Sequence, residues 1–248
     1  MALQPGDAAD FFAPSPDWQV QVDLRRVLLA EAPEHYAVLP DSAAGDIAEA
    51  VALLSRCAGR PFADAWQAGA ELEPDWVILK PDETGRCRVI AGVVCFPSQW
   101  SLPEKAGLPI EAVHGPVPAL NDALSRQIDS FLARLTEGTV WERENWGLSA
   151  DDALDHHPRH GRQRLTGAEP LDAVWLRRER QIFLRLPGGG LIFGIRIGTH
   201  RLDELTAGVP GLARRLARAL RTMPDAAAVY KNLVVARPAL VERLEAAG

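Results

Sequence analysis

His114 is the first side chain in this sequence placed to do chemistry of its own. It follows Val113 and precedes Gly115-Pro116-Val117-Pro118, and the prolines stiffen the exit. A neutral imidazole in such a setting, with one nitrogen pinned by a backbone carbonyl, makes a good axial ligand for haem iron. A hydrogen-bonded core histidine is the plainer alternative. Arg143, Asn145 and Trp146 form a second group on a short strand. An arginine there suits an anionic group such as a haem propionate, which it contacts through two parallel N–H bonds. The competing reading is an edge-strand arginine beside a core tryptophan.

Other candidates carry less. Asp155-His156-His157-Pro158-Arg159-His160 puts two histidines four apart, the zinc spacing on a helix, but Pro158 stands between them. The stretch is expected as a polar loop that could border a site entrance. Cys95 sits in an apolar strand, where burial keeps it a thiol. The Gly188-Gly189-Gly190 run is followed by a strand and by no Gly-Lys-Ser/Thr, so it is no phosphate loop. No Gly-x-Ser-x-Gly elbow is present.

These groups need elements to hold them. Helical spacing of Ile47, Ala50, Val51, Leu54 and Cys57, with Asp46 before them and Gly59 after, predicts a helix over 46–60. Residues 76–80 and 88–96 read as two strands joined by the turn Asp82-Glu83-Thr84-Gly85. A short helical run starts at Pro103. An amphipathic helix is expected over 119–135, and a strand over 141–146. Residues 149–170 look loop-like. Residues 174–186 and 191–197 form the clearest hairpin, and the remainder reads as helices broken at Pro210, Pro224 and Pro238. Hairpin strands with helices to one side make an α+β fold.

A four-residue turn over 187–190 would put Ile182, Leu184, Leu186, Leu191, Phe193, Ile195 and Ile197 on one apolar face. Glu179, Gln181, Phe183, Arg185, Ile192, Gly194, Arg196 and Gly198 would share the other. Glycine within a strand permits close approach of a flat ligand, so this mixed face could be the floor of a site. A solvent face with an Arg–Glu pair is the alternative.

The chain of 248 residues is 47% apolar and 24% charged, which suits a globular domain. Its net charge of −6 argues against nucleic-acid binding, which needs a basic surplus. Arg214, Arg215, Arg218 and Arg221 recur at helical spacing and read as a solvated face. No basic and apolar leader opens the chain, and no run approaches the roughly 18 apolar residues of a membrane span. Cys57, Cys87 and Cys95 form no CxxC pair and point to reduced thiols in the cytoplasm. Residues 1–45 are expected as an extended N-terminal arm and 46–248 as a single domain.

Three separated segments resemble one family. Cys95-Phe96-Pro97-Ser98-Gln99-Trp100, continuing through Glu104-Lys105-x-Gly107 to Val113-His114-x-Pro116-Val117-Pro118, resembles a signature of the haem-dependent oxidative N-demethylase alpha-subunit family. Arg143-x-Asn145-Trp146 and Arg178-Glu179-Arg180-Gln181, the latter continuing to Arg185-Leu186-Pro187, resemble two more of its motifs. Tyr230-Lys231 is similar to a pair near that family's end. Ile182-Phe183 departs from the family's Thr-Leu, and Glu73-Pro74-Asp75-Trp76 replaces a more acidic run.

The resemblance implies an antiparallel PAS-like sheet with flanking helices and a helical C-terminal part, enclosing haem b. It implies oxidation of a methylated amine by O2 to formaldehyde and the demethylated amine, with electrons from a partner carrying flavin and iron–sulfur. His114 then becomes the iron ligand. Glu179 becomes the catalytic carboxylate that holds a cationic amine. Arg143, Asn145, Trp146 and Gln181 become cofactor-side residues, Arg196 joins them from the mixed face of the hairpin, and Trp100, Trp146 and Phe183 line a water-poor pocket. A haem-binding sensor or carrier without turnover, or a member that has lost haem, are the alternatives from other classes.

Overall fold

The computed structural model describes residues 3–113, 131 and 134–248. The longer strands are runs rich in β-branched and aromatic residues, and among the described residues seven strands pair into one antiparallel sheet. They are β1 (Gln4–Pro5), β2 (Ala37–Val38), β3 (Asp75–Pro81), β4 (Cys87–Val93), β5 (Val140–Ser149), β6 (Trp175–Arg185) and β7 (Leu191–Arg201), in the order β1-β5-β6-β7-β3-β4-β2. Helices flank the sheet and fill the C-terminal part, which is the α+β class expected. Among the described residues no helix is long and apolar enough to cross a membrane. His114 and nearly all of the helix expected over 119–135 lie outside the described residues.

The β6–β7 hairpin forms, but its turn is one residue shorter than expected. The Leu186 N–H donates to the Gly190 carbonyl (2.8 Å) and the Gly189 N–H to that of Leu186 (3.1 Å). Gly189 takes φ +87°, a conformation that glycine enters without a Cβ penalty. This closes a three-residue loop and returns Gly190 to the ladder. Arg185 therefore pairs with Leu191, Phe183 with Phe193, Gln181 with Ile195 and Glu179 with Ile197. A slip of one residue carries a strand's whole set of side chains to the other face. Phe193, Ile195 and Ile197 now accompany Glu179, Gln181 and Phe183. Ile192, Gly194, Arg196 and Gly198 accompany Ile182 and Leu184.

That second face is closed. Trp76, Ile78, Ile182, Leu184 and Ile192 belong to a buried cluster with Phe11, Phe12, Leu29 and Leu54. The covering side chains come from helices Ala8–Phe12, Trp18–Glu31 and Ala44–Ala58. Residues 3–45 are thus largely helical and not an extended arm. Fully burying a phenylalanine such as Phe11 is worth about 2–3 kcal/mol, and Asp7 caps its helix by accepting from the Ala9 and Asp10 N–H groups. The glycine expected to admit a flat ligand admits a ring of the chain itself. A Cβ on Gly194 would lie 3.2 Å from Phe11 Cε1 and 2.6 Å from Ile182 Cγ2.

The expected helix over 46–60 runs Ala44–Ala58, stopped by Gly59 at φ +66°. Asp46 lies in its first turn rather than at its cap, and accepts from Lys80 Nζ at 2.8 Å. The C-terminal helices are Leu202–Gly208, Leu212–Arg221, Asp225–Tyr230 and Arg237–Ala246, with Leu216, Leu220, Leu233, Leu240 and Leu244 in a core of their own. Pro238 falls in the first turn of the last helix, where its missing N–H is tolerated, so it starts that helix rather than breaking one.

Candidate functional site

The remaining face of β5 and β6 gathers polar groups. Strand pairing sets Arg143 opposite Gln181 and Asn145 opposite Glu179, which puts all four on one face. Glu179 is the centre. Its Oε1 accepts from the Ser98 hydroxyl at 2.5 Å, and its Oε2 accepts from Gln181 Nε2 at 2.8 Å and Asn145 Nδ2 at 3.3 Å. Three cations stand behind those donors. Arg143 Nε donates to Gln181 Oε1 (2.6 Å), Lys231 Nζ to Asn145 Oδ1 (2.9 Å), and Arg177 Nε to Ser98 Oγ (2.9 Å). Lys231 also donates to the Trp146 carbonyl.

Burial pulls the Arg143 guanidinium and the Lys231 ammonium below their usual values, and in each case Glu179 opposes the shift. Burial brings Arg177 down to about 10 against the nearby carboxylates. The Tyr230 phenol is pushed up by burial and then by the charge of Glu179, and makes no hydrogen bond among the described residues.

Ser98 reaches this centre because the turn after β4 is pinned from two sides. Asp75, at the start of β3, accepts from the N–H groups of Cys95 (2.7 Å) and Phe96 (3.0 Å) and forms a buried ion pair with Arg25 (2.6 Å). Arg177 is itself buried, and donates to the carbonyls of Phe96 (2.8 Å), Leu154 (2.7 Å) and Ala153 (3.1 Å). Next to Ser98, Gln99 holds φ +63°. Next to Lys231, Asn232 holds φ +55° and donates to Gln99 Oε1 at 2.6 Å. Two non-glycine residues in the left-handed region, tied to each other at a site, are a local strain that the surrounding contacts must hold.

The aromatic groups stand at the other end of this face. Phe183 stacks on Phe193 at 5.1 Å, Arg143 lies over the Phe183 ring at 5.4 Å, and Trp100 packs into the same cluster. Trp146 does not join them. It lies on the closed side with the C-terminal core, with Lys231 Nζ 5.6 Å from its ring centre. Arg196 is also on the closed face, where it pairs with Glu73 (3.2 Å), donates to the Ala13 carbonyl (2.6 Å) and covers Phe11. The hairpin register is the reason. Arg143, Asn145, Glu179 and Gln181 are thus brought together, while Trp146 and Arg196 stand apart and His114 lies outside the described residues.

The histidine stretch is not a polar surface loop. Asp155, His156 and His157 are buried. Asp155 accepts from the Tyr36 hydroxyl (2.6 Å) and the His157 N–H (2.8 Å), and His160 Nε2 lies 2.7 Å from it. The Gln99 N–H donates to the His156 carbonyl at 3.1 Å, so the stretch buttresses the Ser98 turn from behind. Among the described residues no group of His, Cys, Asp and Glu is arranged to hold a metal ion. Burial lifts the Cys95 thiol to about 12, in keeping with an inert core residue.

Ser98, Arg177 and Lys231 are site residues that sequence reasoning did not assign. Arg177 had a signal, since it precedes Glu179 and Gln181 at the period of two on one strand. The Arg143 guanidinium is an open donor group at this site, and its fork suits an anionic group such as a carboxylate. Both Nη nitrogens of Arg143 are without hydrogen bonds among the described residues, and the adjoining wall is aromatic. The sequence pattern of the family described as haem-dependent oxidative N-demethylase, alpha subunit-like, matches residues 64–241 and takes in every residue of this site.

Proposed function

Because the chain belongs to the family of haem-dependent oxidative N-demethylase alpha subunit-like proteins, we propose that it is a haem b-dependent oxidative subunit that removes an N-methyl group from an amine. Its reaction takes a methylated amine, O2, two electrons and two protons to the demethylated amine, formaldehyde and water. Haem, when bound, supplies the activation of oxygen. The electrons come from a separate reductase subunit carrying flavin and iron–sulfur, in keeping with an alpha subunit that works with others.

The observation that carries this reading is Glu179. A carboxylate held by three neutral donors beside an aromatic wall suits an ammonium substrate better than it suits a packed apolar sensor pocket. Glu179 binds and orients the amine cation. Phe183, Phe193 and Trp100 exclude water from the methyl group. Haem would be held by Arg143, whose Nη nitrogens are without hydrogen bonds among the described residues and suit a propionate, and by His114 as an iron ligand.

The test is an absorption spectrum of protein grown with haem precursor, beside His114→Ala. A Soret band near one haem per chain, lost or shifted in the variant, supports the ligand. Oxygen- and reductant-dependent formaldehyde release from methylated amines then supports the activity. A colourless protein that takes up no added hemin overturns both.

A further inference from the structure

Arg143, Lys231 and Arg177 all lie within one side chain of Glu179, and among the described residues none forms an ion pair with it. Each is stopped one group short. Gln181 takes Arg143 on its oxygen and gives its nitrogen to Glu179. Asn145 does the same for Lys231, and Ser98 accepts from Arg177 while donating to Glu179. The amide orientations are dictated by their neighbours, since the oxygen must face the cation and the nitrogen must face the carboxylate.

Without a spacer, an arginine beside a carboxylate closes into a forked pair. Such a pair is neutral and leaves an arriving ammonium little to bind. A carboxylate has about four lone-pair directions, and these contacts occupy three of them, two on Oε2 and one on Oε1. Among the described residues one direction on Oε1 remains.

We infer that Gln181, Asn145 and Ser98 are specificity-determining spacers that hold three cations off Glu179, so that its charge stays uncommitted and selects a cationic amine. This rests on Glu179 being the amine-holding group. The spacers act through Glu179 and are positioning residues. Their signature is that loss of a spacer is repaired by also removing the cation it restrains.

The experiment is a calorimetric titration of the full-length, haem-loaded protein with trimethylammonium chloride, and with tert-butanol as an uncharged match of similar size. The wild type is expected to bind the cation in preference to the alcohol, and Glu179→Gln to lose that preference. Gln181→Met is expected to weaken cation binding about tenfold or more, the scale of one charge-assisted contact. Adding Arg143→Met to Gln181→Met, in protein shown by its Soret band to keep one haem per chain, should then restore affinity to within about threefold of wild type. Asn145→Leu with Lys231→Met is a second, independent pair, read the same way, should the first fail to fold or to keep its Soret band.

The inference is overturned if both single spacer variants bind the cation as wild type does, or if neither double variant recovers. If wild type and Glu179→Gln bind the cation equally, the role of Glu179 itself fails and the spacers fail with it. If Glu179→Gln loses binding while the spacer variants do not, the spacers fail alone.

Discussion

The two faces of the β5–β6–β7 sheet handle charge in opposite ways. On the closed face every arginine touches its carboxylate. Arg196 meets Glu73 at 3.2 Å, and Arg180 meets Asp10 at 2.8 Å and Glu142 at 3.0 Å, while Phe11 fills the space over Gly194. On the polar face Arg143, Lys231 and Arg177 reach Glu179 only through a neutral group. A contact pair cancels its own field and glues elements together. A separated pair keeps a charge in reserve for something that is not part of the chain. The closed face therefore answers for the fold and the polar face for the chemistry, although both are built from the same strands with alternating side chains.

Substitutions on the closed face should cost stability most. Gly194→Val places its first carbon against Ile182 and Phe11, and should lower unfolding stability by about 3 kcal/mol, read from the urea midpoint. Glu73→Gln follows at about 2 kcal/mol in the same assay, because buried Glu73 also accepts from the Ser15 N–H and Gln21 Nε2. The polar face should invert the pattern. Glu179→Gln keeps the shape and should change stability by no more than about 1 kcal/mol, while amine oxidation falls on the order of a hundredfold. A large stability loss there with activity intact would erase the distinction between the faces.

A smaller effect comes from the buttress behind the polar face. Burial, and then the charge of Arg177, hold His156 below the usual 6.5. As pH falls, the unfolded chain takes up that proton first, so stability is whole above about 6.5 and declines below it, by at most about 1.4 kcal/mol per pH unit. His156→Gln should flatten the dependence of the urea midpoint on pH between 7 and 5. A slope unchanged in the variant would move that titration elsewhere. Smallest of all, Ser98→Ala should cost about 1 kcal/mol in the urea midpoint, because Arg177 keeps its carbonyl partners.

Much of this was legible in the chain. The β3–β4 and β6–β7 hairpins, the strand at Arg143 and the helix stop at Gly59 follow from period-two runs and turn chemistry. The spacing of two between Glu179 and Gln181, and between Arg143 and Asn145, put those pairs on common faces. What failed was the choice between three and four turn residues in Pro187-Gly188-Gly189-Gly190, because three successive glycines offer several places for the left-handed residue. That one choice misplaced Arg196. The convergence of Ser98, Arg177 and Lys231 was hidden for another reason. Ser98 and Glu179 are 81 positions apart, and only the fold brings them together. The burial of the histidine stretch was hidden as well, since its polar groups satisfy one another and look like a solvated loop when read singly.

The family's matched stretch begins at residue 64, after the helices Ala8–Phe12, Trp18–Glu31 and Ala44–Ala58 that roof the closed face. A recognisable unit and a foldable unit are therefore not the same length in this chain. Cut back to its recognisable part, the protein would carry the long strands and the carboxylate network but would leave Trp76, Ile78, Ile182 and Ile192 bare to water. Such a fragment should self-associate along that bare face, and a search for activity in it would test its solubility before its chemistry.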